Sequence, residues 1–120
     1  MKCCAQIAVS RNFLSQTNNI ADTLLFTAPE DEEYLVMLFV KTTTNLSTGA
    51  HISILVDIAV DDDYSHNHVI SQQQQAGYSS SEPVYVHLAA GQTLNLQATG
   101  YTAPSGAPSS YDVYTTILGL

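Results

Sequence analysis

From Pro83 to Tyr101 the chain reads PVYVHLAAGQTLNLQATGY, and this stretch restricts the fold more than any other. Val84, Val86 and Leu88 fall on one side of an extended backbone, with Tyr85, His87 and Ala89 on the other. After Ala90-Gly91-Gln92 the alternation resumes, with Leu94, Leu96 and Ala98 against Thr93, Asn95, Gln97 and Thr99. Strand side chains alternate between faces, so two period-2 runs around a glycine predict a β-hairpin with one buried and one polar face. Its loop holds three or four residues. A bulged turn of that length needs a positive φ, and Gly91 supplies it without steric cost.

The remaining segments read as strands that cover this unit. Ala5 to Ser10 is a short strand, and Arg11 to Asn19 a connection. Ile20 to Thr27 alternates, with Ile20, Asp22, Leu24 and Phe26 on one face, until Pro29 and an acidic run end it. Tyr34 to Thr44 is the most apolar strand: Tyr34, Val36, Leu38 and Val40 form one face, Leu35, Met37 and Phe39 the other. A strand apolar on both faces needs cover on both; one side is the core and the other is read as a partner subunit. Asn45 to Gly49 is a turn, and Ala50 to Val60 alternates with Ile52, Ile54, Val56, Ile58 and Val60 inward. Asp61 to Asn67 reads as a polar loop, Val69 and Ile70 as a weak strand, and Gly77 to Glu82 as a Ser-rich loop. Thr102 to Ser110 is a further loop, and Tyr111 to Leu118 a last strand with Tyr111, Val113, Thr115 and Ile117 on one face. Seven or eight strands at this spacing predict an all-β, antiparallel, two-sheet jelly-roll sandwich of about eight strands. An immunoglobulin-like sandwich ranks second, because the chain has no Trp and no spaced cysteine pair.

Charge narrows the function classes. Charged residues are 12 % of the chain, about half the usual share, and the net charge is −8. Lys2, Arg11 and Lys41 form no cluster, so phosphate neutralisation is missing and direct nucleic-acid binding is excluded. An electrostatic hold on anionic membranes fails for the same reason, and no window is long and apolar enough to span a bilayer. Cys3 and Cys4 are adjacent, which gives neither a spaced disulfide framework nor a zinc pattern and suits a reduced compartment of synthesis. The expectation is a chain without a signal peptide.

No catalytic constellation emerges. Asp61 to Asp63 beside His66-Asn67-His68 is the one ligand-like cluster, with Asp61, Asp63, His66 and His68 as candidate metal ligands and a solvated loop as the other reading. Both rings of His-x-His share a face only on a regular strand. Glu30 to Glu33 is either a solvated turn or a patch for a basic partner. His51 and His87 sit on polar faces, where protonation would loosen an interface if symmetry mates met there. Tyr78, Tyr101, Tyr111 and Tyr114 either offer rings to a sugar or capsid surface or lie in the core. The reading is no enzyme and no cofactor.

The runs LLFTAPEDEEYLVMLFVKTTT, ISILVDIAVDDD, VYVHLAAGQTLNLQATGY and YDVYTTILGL resemble small jelly-roll proteins of tailed bacteriophages. Val84 to Leu96 also resembles the equivalent segment of tumour necrosis factor-like heads. The resemblance covers about Ile20 to Leu120, so residues 20–120 are read as the jelly-roll domain and residues 1–19 as an N-terminal arm or short edge strand. It departs from the pattern at Glu32-Glu33, where the family has glycine. It implies a threefold homotrimer made in the host cytoplasm and carried on the virion as a capsid decoration (cement) protein bound to the major capsid protein. The alternative is a receptor- or glycan-binding module at a fibre tip. On this reading Leu35, Met37, Phe39, Tyr85, His87 and Tyr114 are the trimer-interface candidates. Ile7, Val9, Phe13 and Leu14 are the capsid-contact candidates.

Overall fold

The computed structural model describes residues 4–42, 52–61, 63–73, 77–80, 83–103 and 110–120, with 63–73 and 77–80 described by strand pairing alone. The expected turn at 45–49, the loop at 104–109, His51 and Cys3 lie outside the described residues. Nine strands run in the order β1 (Gln6–Gln16), β2 (Ile20–Thr27), β3 (Glu32–Thr42), β4 (Ile52–Val60), β5 (Asp63–Gln73), β6 (Gly77–Ser80), β7 (Val84–Leu88), β8 (Thr93–Thr102) and β9 (Tyr111–Gly119). They form two antiparallel sheets, the jelly-roll-like sandwich expected. One is five-stranded, ordered β1-β9-β3-β6 with β7 also on β3; the other is four-stranded, β2-β8-β4-β5.

The inner faces are those the alternation predicts. Val36, Leu38 and Val40 from β3 and Val113 and Ile117 from β9 meet Ile54, Val56 and Ile58 from β4 and Leu94, Leu96 and Ala98 from β8. All are buried, and Thr115 shares the inward face of β9. Burial of such side chains at about 25 cal/mol per Å² of apolar surface is the main force holding the sheets together.

The hairpin expected at Pro83–Tyr101 does not form. β7 pairs with β3 and β8 with β2 and β4, so the two strands lie in different sheets. Alternation says that each strand has one buried face; it is silent on whether two such faces belong to one sheet or oppose each other across a core. Gly91 does take a positive φ, 89°, but at a crossing between sheets. The connection from β2 to β3 makes the reverse crossing beside it. Ala28 N–H donates to Gln92 O (2.9 Å) and Gly91 N–H to Ala28 O (2.8 Å), which laces the two crossings together. Asp31 Oδ1 accepts from Ala90 N–H at 2.9 Å and Gln92 Oε1 from Ala89 N–H at 2.9 Å, so side chains satisfy backbone donors that no ladder reaches on this corner.

A true hairpin joins β4 and β5, where Asp61 at φ 52° opens the turn between Val60 and Asp63. Asp tolerates the left-handed region better than most residues, so the turn forms without glycine. The polar loop expected at Asp61–Asn67 is thus mostly strand, as is part of the Ser-rich loop, where β6 pairs with the end of β3. β1 extends to Gln16, through the expected connection. Register shifts in β2 put Leu25 inward and leave Leu24 exposed, reversing the expected face there.

Two core tyrosines differ in how their hydroxyls are met. Tyr111 Oη donates to Asn18 O at 2.6 Å. Tyr34, 1 % exposed, stands beside the Glu32 carboxylate at a geometry that makes no hydrogen bond. Burial first, then Glu32 and the charge of Glu30, push the Tyr34 phenol up to about 12. Burial, with a smaller effect of Tyr101, also raises Tyr111.

Two outcomes follow for stability. Gly91→Ala forces a Cβ into the left-handed region with open space around it, so urea unfolding should show a loss of about 1 kcal/mol from backbone strain alone. Above about pH 10 the unfolded chain ionises tyrosines that the native state keeps protonated, so the unfolded state binds fewer protons and stability falls as pH rises toward about 12. Urea midpoints taken at intervals across that range should decline, and should decline less steeply in Tyr34→Phe.

Candidate functional site: the outer face of the five-stranded sheet

β3 lies inside its sheet, paired along most of its length with β9 and, on its other edge, with β7 and then β6. Its inward residues fill the core, so Glu33, Leu35, Met37, Phe39 and Lys41 face outward by the period of the strand. Register then assembles rows across neighbouring strands. Ile7, Leu118, Leu35 and Tyr85 stand opposite one another in turn across β1, β9, β3 and β7. Met37 is opposite Thr116, itself opposite Ser10. Phe39 is opposite Tyr114 on one side and Ser80 on the other.

The result is a continuous apolar strip on a surface. Ile7 is 68 % exposed, Tyr85 69 % and Phe39 44 %, while Leu35, Met37, Tyr114 and Leu118 are half-buried by their neighbours. Scattered exposed apolar residues are ordinary, but rows in register across four strands are not. The ends of the strip are polar. At one end His87 Nδ1 and Glu33 Oε1 are 2.7 Å apart, both more than half exposed. At the other, Lys41 is opposite Asp112, whose Oδ1 accepts from Ser15 N–H at 2.7 Å and whose Oδ2 accepts from Tyr114 Oη at 3.3 Å. An apolar centre between polar margins is the anatomy of a protein–protein interface.

The outer face of the four-stranded sheet is different in kind. Asp57, 5 % exposed, accepts from Gln97 Nε2 at 3.5 Å, and Asn95 Nδ2 donates to Asp22 Oδ1 at 3.0 Å. Buried polar side chains thus hold positions on this face that apolar ones hold on the other sheet.

All six residues read as trimer contacts, Leu35, Met37, Phe39, Tyr85, His87 and Tyr114, therefore fall on one face. The capsid-contact set divides. Val9 and Phe13 pack against the core, whereas Ile7 and Leu14 (54 % exposed) are at the surface. Arg11 lies over the Phe13 ring at 4.8 Å and donates to Leu24 O at 3.2 Å, tying the edge of one sheet to the edge of the other. Of the metal candidates, Asp61 is an exposed turn residue whose N–H donates to Thr93 O at 2.8 Å. The side chains of Asp63, His66 and His68 lie outside the described residues; along the backbone, the pairing of β5 with β4 skips His68, between Asn67 opposite Asp57 and Val69 opposite Val56. The described residues hold no group of three His, Cys, Asp or Glu placed to bind a metal. Leu118 and Ile7 belong to the strip, yet neither was legible as a trimer contact: each looks like an ordinary strand residue until register sets them opposite each other.

No protein-family model matches the chain, and no curated protein matches it. Among solved structures it is similar to a chain in the acidic stable capsid structure of Helicobacter pylori bacteriophage KHP30, with a TM-score of 0.57, 10 % identity, and coverage of 97 % of this chain and 87 % of that one. A chain of infectious bursal disease virus, Gx strain, aligns at a TM-score of 0.33 and 10 % identity, over 96 % of this chain and 31 % of that one. At this identity the first likeness is one of fold: two chains of similar length share one β-sandwich.

Proposed function

We propose that this chain is a phage virion structural protein that decorates the outer surface of the head as a homotrimer and holds neighbouring capsid subunits together. The observation that carries this reading is the apolar strip from Ile7 to Tyr85 on the outer face of the five-stranded sheet. The fold shared with a chain of a phage capsid structure supports it. In the trimer Leu35, Met37, Phe39, Tyr85 and Tyr114 are covered by the next copy, with His87 and Glu33 at the rim. A stable contact needs roughly 800 Å² from each partner, so the whole strip and its rim would be covered. The polar face of the other sheet stays in solvent.

β1 offers the capsid contact on this reading. It is an edge strand, so one row of its backbone N–H and C=O groups has no partner in the sheet, and Leu14 stands exposed on it. β1 pairs with β9 from Gln6 to Gln16, so removing residues 1–10 would strip a sheet edge as well as an arm. A point substitution is the cleaner probe: Leu14→Asp should lower head occupancy and leave the trimer intact, as read by imaging of particles and by mass in solution. Unchanged occupancy would move the capsid contact elsewhere.

Self-association is tested by sedimentation velocity. The native chain should run as a trimer, and added salt should strengthen it, because copies of net charge −8 repel and apolar contacts do not depend on salt. Met37→Glu and Phe39→Glu place a charge in the covered face without touching the core and should give folded monomers. A native chain that stays monomeric at all concentrations would overturn the trimer, and selective binding on a glycan array would then favour a fibre-tip module.

A further inference from the structure

Residues 1–21 hold Lys2 and Arg11 and none of the chain's eleven acids, the first of which is Asp22. Of the nine strands, β1 is the one that carries a Lys or Arg and no acid. β1 is also an edge: it pairs with β9 and, among the described residues, with no strand on its other side. From Val9 to Phe13 that pairing runs without a register shift, so over five residues the outer side of β1 presents regularly spaced backbone N–H and C=O groups. The other edges are blunter. β6 and β7 are four and five residues long. β5 starts in the acidic turn at 61–63. β2 is broken by two register shifts, and Arg11 already occupies its Leu24 carbonyl.

Arg11 itself is exposed. Its guanidinium lies 4.8 Å from the Phe13 ring centroid and donates to Leu24 O at 3.2 Å. No carboxylate among the described residues meets it. Asp112, on the neighbouring strand, accepts from Ser15 N–H and Tyr114 Oη instead. An arginine steadied by a ring and one backbone oxygen, with the rest of its planar fork of donors unused, is preorganised for a carboxylate.

We propose that an extended segment of a protein partner, the capsid subunit on the reading above, adds to the free edge of β1 along Val9 to Phe13 and sets an Asp or Glu against Arg11. The inference rests on β1 being the capsid contact and names what that contact recognises. Backbone hydrogen bonds to the edge supply the affinity, and the carboxylate on Arg11 fixes register. Charge selects the occupant. A chain of net charge −8 repels an acidic segment least where it carries no acids, whereas a basic segment is drawn to the acidic runs at 30–33 and 61–63. A second copy adding through its own β1, antiparallel and centred on Arg11, would set guanidinium against guanidinium, which like charges directly opposite disfavour. Ile7 places the start of β1 in the apolar strip, so this edge adjoins the face between copies.

The experiment is an NMR titration of the full chain with short capped peptides of alternating Thr and Val that differ only in a central Glu, Gln or Lys. Slowed amide exchange confined to β1 from Val9 to Phe13 is expected. The Glu peptide should bind about fivefold tighter than the Gln peptide, near the most that an exposed pair supplies, and the Lys peptide weakest. Arg11→Gln should erase the ranking and leave the spectrum native, and Arg11→Lys should keep part of it. An arginine that only straps β1 to β2 would cost stability when replaced and leave the ranking unchanged. That result would overturn the proposal, as would equal affinity for the Glu and Lys peptides, protection on β2 or β7 in place of β1, or no protection with any peptide. Head occupancy judges the capsid reading separately. A chain that ranks the peptides as expected and leaves heads bare keeps this edge for a different acidic partner. Heads filled equally by the native and Arg11→Glu chains keep the decoration role and overturn the edge.

Discussion

Everything in this molecule depends on one strand having two apolar faces. β3 packs Tyr34, Val36, Leu38 and Val40 into the core and leaves Leu35, Met37 and Phe39 on the outside. Its pairing on both edges fixes it as the interior of its sheet. A one-residue slip would move the core set to the surface and the outer set to the core. Both sets being apolar, the cost of such a slip is smaller here than for a strand with one polar face. The neighbours must then enforce register, and they do so chemically. Glu33 meets His87 at one end and Lys41 stands opposite Asp112 at the other, so a slip breaks the first contact and moves Lys41 away from Asp112.

Much of this was legible in the residues, and what was not has a common cause. Alternation located the inner faces of β3, β4, β8 and β9 residue by residue. It could not assign strands to sheets, because a buried face looks the same on either side of a core; hence the hairpin expected around Gly91 is two strands in opposite sheets. Where a register shift inserts a residue, as in β2, the alternation inverts and Leu25, not Leu24, is the buried one. β5 was missed because its run of Asp, Ser, His, Asn and Gln carries little apolar signal. Glu32 was missed for a different reason. Continuing the alternation of Tyr34, Val36 and Leu38 back by two residues puts an acid on the inner face, but a run of four acids reads as solvated turn.

That run, Glu30 to Glu33, does more than keep the chain soluble. It sits where β2 crosses to β3, next to the opposite crossing at Ala89–Gln92. Asp31 supplies an acceptor to the backbone of the neighbouring crossing, Glu33 points outward to His87, and Glu32 points inward toward Tyr34. Successive residues on a strand must face opposite ways, so consecutive acids entering β3 cannot share one task.

An apolar strip of this kind works through area, and charge enters only at its margins, where His87 meets Glu33 and Lys41 stands opposite Asp112. Copies of a chain of net charge −8 repel one another. Any contact between copies through this strip is therefore made against their electrostatics, and it strengthens as salt screens the repulsion.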